Sequence, residues 1–470
     1  MEKELAEFAV NAALELGATS AQARLIESDH NSFLLNNGKL EISSFGKVIG
    51  LGMKIRVKNN EGTLCINDLD KEKIRSEIKR ILKHISNSKH ISNEIEISEE
   101  KTYKDNIIVK PKLNPKDVST EEKIKSLFEI EKSLSKEKFN IITRYFTIAD
   151  SITKKYLVTS EGTKIYSEVP MARAFWFLTV EKNGQTNQRN NSEMHTTGYE
   201  IFKKLNLPEK IHEAAKILHK SLTEGIKAPK GKTDVIAGSE VMGIAVHESA
   251  GHPYEADRIF GREAAQAGES FITPEMVGTR IGTDFVTVVD DPRLVGSAGF
   301  YHYDDEGVKA REKVLIKKGI INEFLHNKET AKAMNLKSNG SSRASSYDRE
   351  PIVRMSNTYM KPGDYSEEEL LKDTKKGIYV KNFMEWNIDD KRYNQKYTGS
   401  EAYLIENGEI TKMIKNPTIE ITTPALYKSI DALGKKIELF AGNCGKGEPM
   451  QGIPVLMGGP IARLRNITIT

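Results

Sequence analysis

His247, Glu248 and His252 stand together in the run Ser239-Glu240-Val241-Met242-Gly243-Ile244-Ala245-Val246-His247-Glu248-Ser249-Ala250-Gly251-His252-Pro253. The chain has only 10 histidines in 470 residues, so a His-Glu-x-x-x-His pattern stands out. Its chemistry would be metal-assisted hydrolysis, in which imidazoles hold a divalent cation and the adjacent carboxylate takes a proton from water. The usual helical version has its histidines four apart, about 40° apart around the axis, facing one ion. Here the spacing is five, and on a continuous α-helix the second ring would point about 140° away. The favoured remedy is a helix that stops near Ala250, with Pro253 pushing His252 out of the α region and Gly251 turning left-handed. A π-bulge is the second. The helix itself opens with Ser239 as cap and Glu240 at the positive end of the dipole. The bland alternative is a capped helix end whose histidines bind the last carbonyls while Glu248 is solvated.

Catalytic zinc takes three protein ligands and keeps one position open. A third donor is available nearby in Glu255 or Asp257, or far away in Cys444. Cys444 lies in Gly442-Asn443-Cys444-Gly445-Lys446-Gly447, where glycines permit close backbone approach and Lys446 favours a thiolate. A single cysteine in such a loop is also an ordinary structural residue, and Cys65, within a strand run, is assigned to packing. Other clusters carry less. His212-Glu213 and His219 sit too far apart for one metal, and His195 has no partner in sequence. Asp304-Asp305-Glu306-Gly307 lacks the alternation of a calcium loop and reads as a turn. Asp290-Asp291-Pro292 also reads as turn chemistry.

The elements that must position these residues form an α+β protein. A helix over 3–16, stopped by Gly17, precedes strand runs at 21–27, 32–35, 40–43, 48–57 and 63–66, with Asn36-Asn37-Gly38 as a turn. Ile74, Ile78, Ile81, Leu82 and Ile85 stripe a second helix. Residues 86–117 are polar and read as a linker. Ser119 and Glu122 announce another helix, followed by strands at 141–149, 155–159, 164–168 and 172–181. A helix opened by Pro208 closes this part. From 233 onward short alternating runs dominate, with a helix announced by Ser366 and Glu369. The predicted domains are 1–88 (α+β), 89–227 (α+β, after the linker) and 228–470 (sheet-rich), with antiparallel sheets in the first two.

Composition narrows the setting. Seventy Lys+Arg against 66 Asp+Glu give a net charge of +4, no electrostatic footprint for nucleic acid. No apolar run approaches a membrane span, and the acids in the first 16 residues argue against a secretory signal. Two cysteines fit a reducing, cytoplasmic setting.

Several segments, in order, resemble the TldD/PmbA (TldD/TldE) metallopeptidase family. They are Asn37-Gly38-Lys39-Leu40-Glu41 with the run from Gly50 to Val57, the His247–His252 motif, and Asp304-Asp305-Glu306-Gly307-Val308. Arg354-Met355-Ser356-Asn357-Thr358-Tyr359 follows, and then Cys444-Gly445-Lys446 with Gly458-Gly459-Pro460. The resemblance implies a zinc peptidase that takes unfolded or extended peptides inside a dimer. It implies His247, His252 and Cys444 as zinc ligands and Glu248 as catalytic base. Of the family's two subunit types, this chain resembles the active TldD type, paired with itself or with a PmbA/TldE-type partner. Three departures stand out: Ser356 for Thr, Glu448 near a common Gln, and Gly459 for a Gln, the last two expected to alter the wall beside the metal. Zinc would acidify its bound water, and Glu248 would take the proton and pass it to the leaving amine. Tyr301, His302 and Tyr303 are candidate oxyanion donors. The rivals are a zinc amidohydrolase acting on non-peptide substrates and a non-catalytic binding subunit.

Overall fold

Asn37 and Gly38 both take positive φ, 46° and 79°, the two-residue turn that an Asn-Gly pair favours. They join β1 (Ser20–Asn36) to β2 (Lys39–Val57). The computed structural model describes residues 1–87, 95–263 and 268–470. Its first sheet continues with β3 (Asn60–Ile66), β4 (Lys104–Ile108), β5 (Asn140–Thr159), β6 (Lys164–Lys182) and β7 (Gln185–His195). The order is β3-β2-β1-β5-β6-β4, with β7 also on β6.

The short runs expected in pairs are long single strands. β1 joins 21–27 to 32–35 without a break, because Ser28 to Asn31 pair with β2 on one side and β5 on the other. A backbone ladder satisfied on both sides tolerates a polar stretch that alternation alone reads as an interruption. Part of the expected linker is likewise strand, since Lys104–Ile108 runs parallel to β6. Residues 88–94, where the predicted boundary between 88 and 89 falls, lie outside the described residues. Strands from before and after it share one sheet.

One face of this sheet carries four long helices. α1 (Glu4–Glu15) and α2 (Lys71–Asn87) cover one end, packing Leu5, Ala9, Ile74 and Ile78 on Leu25, Leu51 and Ile55. α3 (Thr120–Leu134) and α4 (Leu207–Glu224) cover the other, with Leu127, Ile211 and Leu218 against Phe33, Phe146 and Trp176. Ser119 caps α3 by accepting from the Glu122 amide at 3.2 Å. The opposite face meets the C-terminal part: Leu157 and Ile165 touch Tyr303, and Met171 and Met194 touch Ala298 and Leu456.

Beyond residue 228 the described residues build two large sheets and a two-stranded one, Ser342–Arg343 with Ile352–Val353. The six-stranded one contains β8 (Val288–Asp290), β9 (Lys313–Lys317), β10 (Ile320–Ile321), β11 (Asn357–Met360), β12 (Glu438–Lys446) and β13 (Gln451–Gly459), in the order β10-β9-β8-β11-β13-β12. All pairs are antiparallel except β11 with β13. The eight-stranded sheet includes Gly231–Ala237, Lys376–Ile388, Asn394–Glu406 and Ala462–Ile469. Helix α5 (Ser239–Val246) lies between the sheets with all eight of its residues buried. So short a helix is unstable alone, since isolated helices need about 12–15 residues. Burial of Val241, Met242, Ile244 and Val246 in the largest core holds it, at about 1.5–3 kcal/mol for each fully buried side chain.

Asp290, expected in a turn, ends β8 instead and is fully buried. It pairs with the equally buried Lys313 at 3.0 Å and accepts from Ser356 Oγ at 2.6 Å and Thr358 Oγ1 at 2.9 Å. Only Asp291 does turn work, accepting from the Arg293 amide at 3.0 Å.

Candidate metal centre

The second remedy, the π turn, is the one the chain uses. After α5 the backbone widens into a π turn over His247–Gly251, and the His252 amide donates to the His247 carbonyl five residues back. A 3-10 turn over His252–Tyr254 follows. A turn closed by an i to i+5 bond brings residues five apart onto one face. The expected helix stop is therefore corrected. His252 stays in the α region at φ −59°, ψ −44° despite Pro253, and Gly251 has φ −70° rather than a left-handed value. Gly251 leaves room for the Met355 side chain, which would have to shift to admit a Cβ there.

Ser239 does not cap α5. Gly238 occupies the N-cap without a side-chain bond, and a Cβ there would meet the Lys381 carbonyl oxygen at 2.2 Å. Glu240 sits in the first turn as expected but is buried, its carboxyl raised by burial and offset by Arg189 at 2.7 Å.

The rings of His247 and His252 lie 4.9 Å apart, nearly perpendicular at 79°. Cys444, on β12, brings Sγ to 3.3 Å from His252 Nε2. One donor atom from each of the three residues falls within 4.8 Å of the others, and all three side chains are buried. A tetrahedral centre with bonds of about 2.0–2.3 Å sets its donors roughly 3.3–3.7 Å apart, so a small closure suffices. The donor set of two imidazoles and a thiol suits Zn²⁺. His247 Nδ1 is buried with no hydrogen-bond partner among the described residues. Burial holds the His247 imidazole below its usual range, in the neutral form that binds metals. Burial pushes the Cys444 thiol up, but His252 and Arg354 outweigh it and bring it down to about 7.

Lys446, expected to favour the thiolate, points instead to carboxylates, 2.6 Å from Asp257 and 3.3 Å from Glu255. Glu255 and Asp257 therefore have other work. Glu255 Oε2 lies 3.0 Å from His252 Nδ1 and accepts from Arg258 Nε at 2.7 Å. Against the cost of burial, Lys446, His252 and Arg258 hold the Glu255 carboxyl well below its ordinary range. An ionised acid on Nδ1 fixes the ring so that Nε2 faces Cys444.

Glu248 lines the same cavity of about 310 Å³ as His247, His252 and Cys444. It is held at both oxygens, by Trp386 Nε1 at 3.2 Å and Arg392 Nη1 at 2.6 Å. Burial raises its carboxyl, and its neighbours, His252 and Arg392 foremost, more than offset this, so Glu248 is ionised. Neither Trp386 nor Arg392 was legible as a site residue. Arg392 sits in the charged run Asp389-Asp390-Lys391-Arg392, which reads as solvated surface. Its left-handed backbone, φ 64°, is held by the Thr423 hydroxyl donating to its carbonyl at 2.7 Å. Asn190, Asn191 and Ser192 of β7 also line the cavity, in a polar strand that alternation does not announce.

Tyr301, His302 and Tyr303 do not line it. Tyr301 donates to the Gly340 carbonyl at 2.8 Å and Tyr303 to Asp105 at 2.9 Å. Glu448 and Gly459 stand outside the cavity wall too, and the Ser356 hydroxyl serves Asp290. The acidic stretch from Asp304 is a turn as expected, with Gly307 at φ 79°. His195 bonds weakly to Glu193 at 3.4 Å. His212 pairs with Glu137 and forms a partly exposed group with Glu209 and Glu213.

Residues 230–470 match the family described as "PmbA/TldA metallopeptidase C-terminal domain", and residues 113–222 match its central domain. A metalloprotease of Methanocaldococcus jannaschii is 34% identical over 451 residues, 96% of each chain. A zinc metalloprotease TldD homolog of Saccharolobus solfataricus is 27% identical over 350 residues, 74% of this chain and 76% of that one. The crystal structure of TldE from Thermococcus kodakarensis shares the fold, with TM-score 0.78 at 18% identity over 99% of this chain and 100% of that one.

Proposed function

The chain belongs to the PmbA/TldD metallopeptidase family, and we propose that it is an active, TldD-type subunit, a zinc-dependent peptidase acting on unfolded or extended peptides. The observation that carries this reading is the π turn that sets His247 beside His252, with the Cys444 sulfur 3.3 Å from the second ring. His247, His252 and Cys444 would hold Zn²⁺, which supplies Lewis acidity to the scissile carbonyl and to water. Glu248 accepts the water proton at a carboxylate oxygen and delivers it to the leaving amine. Arg392 and Trp386 orient that carboxylate and keep it ionised; both are positioning residues. The name of the S. solfataricus relative supports zinc as the metal.

An extended substrate is supported by β12, the edge strand of its sheet among the described residues. Its residues from Phe440 to Gly445 line the cavity, and their unpaired backbone side can take a peptide as an added strand whatever its side chains. The assembly proposed is a cytoplasmic dimer, with a second copy or with a PmbA/TldE-type subunit, supported by the fold shared with TldE.

The test is metal analysis with digestion of an unfolded polypeptide, for the wild type and Cys444→Ser. Stoichiometric zinc and cleavage in the wild type, both lost in the variant, are expected. A variant that keeps both would remove Cys444 from the site, and a wild type that cleaves with no bound metal would overturn the reading.

A further inference from the structure

A second cavity, of about 330 Å³, lies between the C-terminal part and the face of the first sheet that carries no helices. Ser151, Thr153 and Lys155 of β5 and Val169, Met171 and Arg173 of β6 form its floor, and the segment from Ala298 to Asp305 and Arg343 contribute to its other walls. Alternate residues of a strand share a face, so all six floor residues point away from α3 and α4.

Arg173 is the unusual member. Its guanidinium has no hydrogen bond or ion pair among the described residues, and its Nε is shut off from solvent. Burial pushes it down from its usual range. Arg173 is half-buried, arginine does not escape by losing its proton, and a guanidinium that faces a cavity without a counter-charge is ready to pair with an anion. A second cation shares the cavity. Arg343 is satisfied by the carbonyls of Met355 at 2.6 Å and Pro454 at 3.1 Å, and lies 5.3 Å from the centre of the Tyr301 ring. It therefore adds positive charge that no carboxylate cancels by contact.

The acids in the wall are already committed. Asp305 is bonded to Lys155 at 2.5 Å and to the Ala344 amide at 2.8 Å. Asp304 accepts from the amides of Glu306, Val308 and Ser342 at 2.9–3.0 Å. Neither turns toward Arg173. The remaining lining mixes apolar side chains, among them Val169, Met171, Phe300 and Ile453, with polar ones such as Thr196, Tyr301 and His302, and Ile453 is the cross-strand partner of Cys444. The pocket thus adjoins the strand pair that carries the candidate metal ligand.

We propose that this cavity binds a carboxylate on Arg173, the ligand being about one or two residues in size with a small apolar body. A planar guanidinium suits a carboxylate through paired N–H bonds, and about 300 Å³ is the lower end of ordinary ligand sites. Two sources share this chemistry, the C-terminus of a short peptide and a free carboxylic acid. The site is separate from the proposed zinc centre and stands or falls independently of it.

The test is calorimetric titration of the full-length protein with N-acetyl-alanyl-alanine, its C-terminal amide, and acetate. The free acid should bind, the amide at least about tenfold more weakly. Arg173→Gln should weaken the acid by on the order of ten- to a hundredfold, the scale of a lost charged hydrogen bond. Arg173→Lys should fall between, and Cys444→Ser should bind like the wild type. Acetate matching the dipeptide would identify a free acid as the ligand, and weaker acetate would identify a peptide C-terminus. Equal binding of acid and amide by the wild type overturns the proposal without recourse to any variant. So does acid binding that survives Arg173→Gln, or that disappears in Cys444→Ser.

Discussion

The histidine turn at 247–252 and the acidic turn at 304–307 both crowd ionisable side chains into a few buried residues. They differ in what the surrounding backbone leaves unmet. In the acidic turn every acid is taken up: three amides reach Asp304, Lys155 and an amide hold Asp305, and the Lys328 amide donates to Glu306 at 2.8 Å. In the histidine turn Glu255 holds His252 Nδ1, and Trp386 and Arg392 hold Glu248, yet the His247 ring and His252 Nε2 are left to face each other and a sulfur. A dense motif becomes a site where its side chains are not consumed by the fold. Residue type alone does not distinguish the two.

The largest break in this contrast comes from Glu248→Gln. Turnover of peptides should fall by on the order of 10²–10⁴-fold, the usual contribution of a general base, while zinc content stays at the wild-type level; unchanged turnover would remove Glu248 from the chemistry. On the structural side, His326 is buried next to the Asn327 cap that leads to Lys328, and burial holds its imidazole down to about 4 against the usual 6.5. Between those values the unfolded chain takes up a proton that the folded chain refuses. The associated stability is complete above pH 6.5 and lost as pH falls toward 4, about 3 kcal/mol in all. Urea melts at pH 7 and 4.5 should show this loss, and His326→Gln should flatten it; an equally steep loss in the variant would assign it to other groups.

Glu255→Gln should loosen metal binding by about 10–100-fold, as removal of a ligand's hydrogen-bonded partner commonly does, and excess zinc should restore activity. Asp304→Ala should do the reverse, costing about 1–3 kcal/mol of stability by stranding buried amides with zinc stoichiometry intact. Loss of zinc from Asp304→Ala would erase the contrast. The smallest effect is expected from Arg392→Gln, a fall in kcat of about tenfold, one charged contact's worth. KM and metal content should hardly move.

Much of this architecture is readable from the chain, but unevenly. The helices striped by Ile74, Ile78 and Leu82, or by Ile211 and Leu218, are where periodicity places them, because a one-sided helix must bury that side. Strand length was not readable, since Ser28 to Asn31 lack alternation and only neighbouring strands keep them extended. At the site, the five-residue spacing raised the π turn, yet Pro253 argued for a stop. The place where a Gly251 Cβ would stand is taken by the side chain of Met355, a hundred residues away in sequence, and spacing does not show such a neighbour. Glu248's partners Trp386 and Arg392 were hidden for a similar reason: their role exists only once a distant hairpin folds over the histidine turn.

Strand β7 belongs to the first sheet, yet its Asn190, Asn191 and Ser192 close one side of the cavity that holds Glu248. A fragment beginning near residue 228 would keep every candidate ligand and lose that barrier. On the proposed reading the first half of the chain is part of the reaction vessel, and trimming it away would leave the chemistry standing in open water.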